Sequence, residues 1–279
     1  MRAHRHTQAA ALVLLLFCVV PCAKAGLSHG EAQSVLMEAN GLFHQANQAA
    51  LKDPEQAKVL YEKSARRFQR LIEAGGIQNG KLYYNLGNAC YLAGDLGRAI
   101  LNYRRAERYM PNNGNLRQNL AQARARVKDR IEAPQRTKVL KTLFFFHYDL
   151  APRSRANLFT GCFAAFWLIL GLRLFLRGSW LSWMAGGAAA LSVCLGASLV
   201  ADAYALSHEK AGVILAPEVV ARKGDGENYQ PSFEEPLHAG TEFSMREVRG
   251  GWCYVELRNG KTCWLPEDSL KLVRSSAQR

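Results

Sequence analysis

The side chains best placed for chemistry in this sequence are amides and aromatic rings, which bind ligands rather than transform them. Asn88 and Asn119 could donate amide hydrogen bonds to the carboxylate of a peptide. Trp252 and Tyr254 could form an aromatic surface for one. No nucleophile–base pair or phosphate-binding loop stands out, and the seven cysteines and seven histidines lack the spacing of a metal or haem site. The sequence therefore predicts a binding protein without enzymatic activity, cofactor or metal.

The run LYYNLGNACYLAGDLGRAILNYRRAERYMPN, residues 82–112, combines small residues with aromatic ones in a fixed order. This order resembles the tetratricopeptide repeat, a helical hairpin of about 34 residues. It is carried by Tyr83, Leu86, Gly87, Ala99, Tyr103, Ala106 and Pro111. Small side chains let the two helices cross at short range. Gly94 is expected to end the first helix and Asp95 to cap the second.

One such repeat cannot bury its own apolar face, so the neighbouring segments should be repeats as well. Ala57, Tyr61 and Ser64 keep the spacing of a second helix upstream, and downstream a basic helix is expected to run on to Ala133. The sequence predicts about two and a half repeats in a domain of residues 26–133. Such an all-α solenoid presents a concave surface to a partner protein. We expect this groove to be lined by Tyr84, Asn85, Asn88, Tyr91 and Asn119.

Asn88 and Asn119 fall where some tetratricopeptide repeats clamp the carboxylate of a bound peptide. The basic residues that those clamps also use are missing, because Tyr84 and Asn115 stand in their places. The alternative is that the two asparagines cap or bridge helices within the fold. The missing cations favour this alternative.

Three apolar segments indicate where the chain resides. Residues 1–25 have the plan of a secretory signal peptide, with basic MRAHRHTQ, a short apolar run and AKAG before the expected cleavage after Ala25. An uncleaved anchor is the alternative. Residues 157–176 and 181–206 are each long enough to cross a membrane, and residues 177–180 between them would form a short cytoplasmic loop. These runs predict a two-helix transmembrane hairpin, since neither has the polar face of a buried core helix.

The predicted topology places both soluble domains outside the cytoplasm. An exported N-terminus followed by two spans puts them on the periplasmic side of the inner membrane, in a multi-pass protein. Arg173 and Arg177 beside the cytoplasmic loop agree with the positive-inside rule, whereas Arg153 and Arg155 before the first span oppose it. The export signal is given more weight, because the first hydrophobic element usually sets the orientation.

The positive charge of the chain is concentrated next to the predicted hairpin. The net charge is +13, and residues 98–141 contain twelve Lys or Arg against three Asp or Glu. An exported, membrane-bound domain does not meet nucleic acid, so anionic lipid headgroups are the predicted partner. A solvated helix face is the alternative. The juxtamembrane segment 134–156, with Phe144, Phe145 and Phe146, is predicted to lie in the membrane interface.

Short alternating runs bounded by Gly, Pro and Asn-Gly predict a small all-β barrel of residues 211–275. The pieces ILAPEVVARKGDGENY, RGGWCYVEL, NGK and CWLPEDSLKLV resemble a bacterial SH3 domain, which implies binding of peptides or cell-wall peptides. Cys263 replaces a glycine of that family. Strand alternation puts Trp252 and Tyr254 on one face, where they would form a ligand surface with Tyr229. The alternative is that Trp252 packs under the loop that contains Tyr229.

The two cysteines of this barrel are predicted to be free thiols in spite of the oxidising compartment. Asn259-Gly260 is typical of a two-residue type I′ turn, which would place Glu256 opposite Cys263. Faces alternate along a strand, so Cys263 would lie on one face of the sheet and Cys253 on the other. A disulfide cannot join opposite faces.

The order of signal peptide, tetratricopeptide repeats, two spans and a C-terminal SH3-like barrel resembles the BatE family, the repeat-containing members of the Bat aerotolerance group. YYNLGNACYLAGDLGRAILNYRRAERYMPNN and FFFHYDLAPRSRANL carry the resemblance outside the barrel. It implies a membrane scaffold that works with von Willebrand A-domain proteins of the same group in stress or oxygen tolerance. A second hypothesis is a cell-wall binding protein that holds peptidoglycan or a peptide through its barrel.

Overall fold

The computed structural model of the chain describes residues 26–131, 150, 152–176, 178–208 and 210–274. The predicted signal peptide and most of the predicted interfacial segment lie outside these residues. The described helices are α1 His29–Ala49, α2 Pro54–Glu73, α3 Gly80–Leu92, α4 Leu96–Tyr109, α5 Gly114–Ala125, α6 Pro152–Leu172 and α7 Ser179–His208. The strands are β1 Ala211–Ile214, β2 Glu218–Val219, β3 Leu237–His238, β4 Glu242–Arg249, β5 Trp252–Leu257, β6 Thr262–Pro266 and β7 Leu270–Leu272.

Each of the first five helices begins at a side chain that accepts a hydrogen bond from the first turn, which satisfies an otherwise unpaired backbone N–H. The capping residues are Ser28, Asp53, Asn79, Asp95 and Asn113. Gly94 ends the turn before α4 with a φ of 88°, so the predicted helix stop and cap between α3 and α4 are confirmed. These helices, with the residues that follow them to Ile131, form what we call the helical unit.

The small residues of the helical unit lie where its helices approach most closely. A Cβ atom on Gly87 of α3 would lie 2.6 Å from the ring of Tyr103 on α4. Ala99 and Ala106 of α4 have no exposed surface. In the preceding pair of helices, the Ser64 hydroxyl donates a hydrogen bond to the carbonyl oxygen of Ala39 at 2.8 Å. The sequence pattern thus predicted the packing positions correctly.

The last helix of this unit is shorter than the sequence predicted. α5 ends at Ala125 instead of running to Ala133. The following residues, 126–131, which we call the strap, leave the helix because their apolar side chains pack elsewhere. Val127 joins the core of the helical unit, and Ile131 packs against the core of the sheet described below.

α6 and α7 pack on each other and form an apolar hairpin, both long and apolar enough to cross a membrane. Their bounds differ from the predicted 157–176 and 181–206, so the connection comprises residues 173–178 rather than 177–180. Along α7, Ser192 is buried and a Cβ on Gly196 would lie 3.3 Å from Phe159 of α6. Gly186 has no such neighbour within 4 Å. The small residues near Ser192 and Gly196 therefore pack within the hairpin, whereas Gly186 does not contact α6.

The seven strands form what we call the sheet unit, residues 210–274. Five strands form an antiparallel sheet in the order β6-β5-β4-β1-β7, and β2 pairs with β3. Its core consists of alternating inward side chains: Ile214, Val219, Ala221, Leu237, Phe243, Cys253, Val255, Leu257, Cys263, Leu265 and Leu270. The short strands and hairpin of the C-terminal region are those expected from the sequence.

The predicted register between β5 and β6 is wrong by one residue. Glu256 pairs with Thr262 and Val255 with Cys263, so three residues connect the strands instead of two. A type I′ turn needs positive φ at both central residues, whereas here only Gly260 has one, at 82°. A three-residue connection ending in a left-handed glycine satisfies that backbone.

The corrected register changes the surroundings of the two thiols. Cys253 and Cys263 both face the core, instead of lying on opposite faces, and both are free. Cys253 pairs with Leu265, which makes the two cysteines diagonal neighbours. Diagonal side chains lie roughly 7–8 Å apart, too far for a disulfide. Burial raises the pKa of the Cys263 thiol to about 12 and makes it unreactive at neutral pH.

Candidate functional site

The predicted groove residues lie on α3 and α5, and three of them form a hydrogen-bond bridge with α4. The Asn88 Oδ1 atom accepts hydrogen bonds from the Tyr103 hydroxyl at 2.8 Å and from Asn119 Nδ2 at 3.0 Å. Asn119 Nδ2 also donates to the Tyr84 hydroxyl at 3.0 Å. The two asparagines therefore bridge helices, which agrees with the alternative to the carboxylate clamp that the sequence left open. Their amide groups already form hydrogen bonds within the protein, so they are not free to bind a peptide carboxylate.

The other groove residues are half-buried and differ in what they contact. The guanidinium carbon of Arg126 lies over the Tyr91 ring, 4.7 Å from the centroid of that ring. Asn85 precedes the exposed Leu92 by two helical turns, so the two share one face of α3. Leu92 is 44 % exposed and was absent from the predicted set, although its spacing from Asn85 could have identified it. Asn85 and Leu92 are the part of this face best placed to meet a partner.

The sheet unit packs on the end of the helical unit, a contact that the sequence did not predict. Val213 and Val273 are buried in the same apolar cluster as Ile100 and Leu101 of α4. A Cβ on Gly97 of α4 would lie 2.9 Å from the Ile214 carbonyl oxygen, so only glycine allows this approach. The two soluble parts of the chain therefore share one core.

Glu242 of β4 is the ionic centre of this contact. Arg124 of α5 donates to both of its carboxylate oxygens, at 2.7 and 2.8 Å. Guanidinium nitrogens of Arg104 on α4 and of Arg258 lie 3.2 and 3.6 Å from the Glu242 carboxylate oxygens. The Glu242 side chain is only 13 % exposed. Burial raises the pKa of Glu242, but the hydrogen bonds and charges of these arginines outweigh it and lower the pKa below its usual value. The carboxylate is thus ionised at neutral pH.

Asp129 of the strap forms hydrogen bonds with the sheet unit. One of its oxygens accepts hydrogen bonds from the His238 backbone N–H at 2.7 Å and the Thr241 hydroxyl at 2.5 Å. The other lies 2.6 Å from His238 Nδ1. Burial raises the pKa of Asp129, but these hydrogen bonds lower it further than burial raises it. Lys128 Nζ lies 2.8 Å from His238 Nε2 on the opposite side of the ring.

These contacts account for four of the twelve basic residues between positions 98 and 141. Arg104, Arg124 and Lys128 contact acidic or imidazole groups of the sheet unit, and Arg105 donates to the carbonyl oxygens of Leu272 and Val273. Part of the charge that suggested a lipid or solvent surface is therefore an internal interface. The acidic partners are single residues far away in sequence, so charge patterning could not identify them.

The predicted ligand surface of the barrel is present in part and larger than expected. The Tyr254 and Trp264 rings contact each other in a tilted arrangement with centroids 5.2 Å apart, and the Arg249 guanidinium lies 5.5 Å from the centroid of the Trp264 ring. Trp252 lies on the same side of β5 as Tyr254, because half-buried and buried side chains alternate along this strand. The predicted two-residue turn implied that Trp264 lies opposite Val255. In the structure Trp264 pairs with Tyr254, so it belongs to the same aromatic face.

Tyr229 is half exposed and packs on its own loop. A Cβ on Gly224 would lie 2.5 Å from the Tyr229 ring, and Arg222 donates to the Tyr229 carbonyl oxygen at 3.0 Å. Gly224 therefore makes room for the ring. The exposed surface of Tyr229 is 50 % of its maximum, which leaves it available for contact with a ligand.

A buried ionic group lies at one end of the apolar hairpin. Arg155 of α6 donates to the Ser198 hydroxyl and the Asp202 carboxylate of α7, both at 2.5 Å, and to the Leu150 carbonyl oxygen at 3.1 Å. Its side chain is 3 % exposed. Because Asp202 balances Arg155, this arginine is a weaker argument against the expected orientation of the hairpin than its sequence position suggested.

Among the described residues, no group of three or more His, Cys, Asp or Glu side chains could hold a metal ion. Comparison with known proteins assigns no family: no protein-family profile matches the chain, and no curated protein is significantly similar to it.

Proposed function

We propose that the protein is a non-enzymatic scaffold of the cell envelope that binds partner proteins through tetratricopeptide repeats. The observation that carries the proposal is the division of the helical unit into a covered end and an open face. The sheet unit covers the α4 and α5 end, while α3 presents half-buried Asn85 and exposed Leu92. The resemblance to the BatE family adds von Willebrand A-domain membrane proteins as the expected partners and stress or oxygen tolerance as the setting.

The contact between the two soluble units supports the proposed topology. Residues on both sides of the hairpin meet at Glu242 and Asp129, so both units must lie in the same compartment. A hairpin that crosses the membrane twice is consistent with this, and the predicted signal peptide would make that compartment the periplasm. The sheet unit is then an SH3-like cap on the end of the repeats rather than a separate arm.

Reporter fusions test this arrangement. A reporter that is active only after export, fused after Ala133 or at the C-terminus, should be active at both sites. The physical reason is that units with a shared core cannot fold on opposite sides of a membrane. A fusion within the connection at Gly178 should be inactive. Activity at only one of the two soluble sites would contradict the proposed topology.

Site-specific photocrosslinking in intact cells tests the proposed groove. A photoreactive phenylalanine analogue at Asn85 or Leu92 should capture membrane proteins with von Willebrand A domains. The same analogue at Arg108, an exposed residue of α4, should capture at least tenfold less. Equal capture from all three positions would mean that the groove is not the binding surface.

The alternative function is cell-wall binding through the aromatic face of the sheet unit, which the adjacent rings of Tyr254 and Trp264 favour. Placing the photoreactive group at Tyr229 in the same cells separates the two functions. Capture of cell-wall peptides at Tyr229, with no protein captured at Asn85, would contradict the scaffold function and support cell-wall binding.

A further inference from the structure

Two clefts adjoin on either side of the Glu242–Arg124 ion pair, at the junction of the helical and sheet units. The first, of about 310 Å³, is lined by the strap residues Asp129, Arg130 and Ile131 and by the loop before β4. The second, of about 370 Å³, is lined by Arg104 and by Ala211 and Gly212 of β1. Arg124, Glu242 and Arg258 belong to the walls of both.

Arginine is in excess in these walls. Arg104, Arg124, Arg130 and Arg258, which we call the arginine cluster, line these clefts. Glu242 contacts three of them, Arg104, Arg124 and Arg258, and Glu107 also pairs with Arg104 at 2.6 Å. The other two acids of the walls are engaged elsewhere, Asp129 with His238 and Thr241 and Glu256 with Arg246. The Arg258 side chain is 52 % exposed and Arg130 is also exposed. Four guanidinium groups against two carboxylates leave the clefts able to accept an anion.

Both chain connections to the hairpin leave from these clefts. Ile131, in the first cleft, ends the described part of the helical unit, on the hairpin side of the chain. Ala211, in the second, follows the end of the apolar window at Tyr204 by seven positions. Helix to His208 adds about 6 Å, and three further residues add at most about 11 Å. The clefts therefore lie close to the end of the apolar segment.

Lipid headgroups are within reach of this position. The headgroup layer extends roughly 5–8 Å beyond the hydrocarbon on each face, and its negative potential acts over a Debye length of about 8–10 Å more. Guanidinium groups match phosphate through paired N–H donors, which explains arginine rather than lysine at all four positions.

We propose that the arginine cluster binds the phosphates of anionic phospholipid headgroups and so holds the soluble units against the membrane. The proposal rests on the membrane crossing of the hairpin but not on the groove or its protein partner. It differs from the lipid contact expected from residues 98–141, because Arg258 belongs to the sheet unit. The site forms only when the two units are docked.

Native mass spectrometry of the purified full-length protein, in micelles that contain equimolar phosphatidylglycerol and phosphatidylcholine, tests the proposal. The wild type should retain phosphatidylglycerol selectively. The variant Arg130→Gln/Arg258→Gln should retain about tenfold to thirtyfold less, because each arginine near an anionic surface contributes about 1 kcal/mol. The matched control Arg108→Gln/Arg117→Gln removes two exposed arginines outside the clefts and should retain lipid normally.

The outcomes separate the possible explanations. Equal losses in both double variants would indicate general charge attraction and overturn the site, as would displacement of the lipid by millimolar inorganic phosphate. A loss accompanied by a lower melting temperature is checked with Arg130→Lys/Arg258→Lys, which keeps the charge and should recover retention in part, because an ammonium group lacks the paired donors of a guanidinium. An Asn85→Glu variant should retain lipid whether or not the groove binds proteins, so failure of the scaffold function leaves this test intact.

Discussion

Replacing Gly87 by alanine should destabilise the helical unit by about 1–3 kcal/mol, the usual cost of overpacking. The new methyl group would lie 2.6 Å from the ring of the buried Tyr103, which cannot move away because its hydroxyl bonds Asn88. The same change at Gly41 in α1 should stabilise the unit by about 0.5–1 kcal/mol, because alanine is the better helix former and no atom lies within 4 Å of its Cβ. Thermal unfolding of the two variants, followed by circular dichroism, measures both effects.

The opposite signs make this pair a test of the packing rather than of helix propensity. Gly87→Trp or Ala99→Trp, with far larger side chains at the same crossing, should prevent folding of the unit. If Gly87→Ala and Gly41→Ala shifted the melting temperature in the same direction, the crossing of α3 and α4 at Gly87 would be wrong.

Replacing Glu242 by glutamine should loosen the contact between the two units by roughly 2–3 kcal/mol. Removing one partner of a buried ion pair costs about 3–5 kcal/mol, and the partial exposure of the arginines reduces that cost. Hydrogen exchange should become faster in β1, β7 and α4, where the units meet. The control Glu256→Gln changes an exposed pair with Arg246 on the next strand and should cost less than about 1 kcal/mol. Equal exchange in the two variants would contradict the central role of Glu242.

Acid should act on the same contact. The folded pKa values of Glu242 and Asp129 lie below their usual 4.5 and 3.8, so ionisation of both groups stabilises the docked state. This contribution is fully present above about pH 4.5 and is lost as the pH falls through the folded values. The protection of the amides at the contact, corrected for the intrinsic exchange rate at each pH, should therefore fall steeply below about pH 4 in the wild type, and the Glu242→Gln variant should show a smaller fall.

A docked sheet unit gives the proposed scaffold a fixed geometry. In that proposal the sheet unit covers one end of the helical unit, the open face of α3 would meet a partner, and the arginine cluster would lie on the side nearest the membrane. Loss of the Glu242 contact should then weaken lipid retention and leave capture at Asn85 in place. The two surfaces can therefore be separated by experiment.

Several parts of this structure follow from short stretches of sequence, because their causes are local. Small residues at helical spacing fixed the crossing at Gly87, and Asp95 with Gly94 fixed the boundary between α3 and α4. The length of two apolar runs predicted the hairpin, and alternation predicted the inward side chains of β5. Each of these signals depends on neighbours within a few turns or a few residues.

Other parts depend on groups that are distant in sequence and meet only in the folded chain. The loop after β5 took three residues because the whole sheet selects the register, and this moved Cys263 to the core and Trp264 to the aromatic face. Asn88 and Asn119 became structural because Tyr103 and Tyr84 reach them across helix crossings. The docking of the sheet unit through Glu242 and Asp129 joins residues more than a hundred positions apart. Periodicity reports which face of an element is buried, but the partner of that face is chosen by shape and charge in three dimensions.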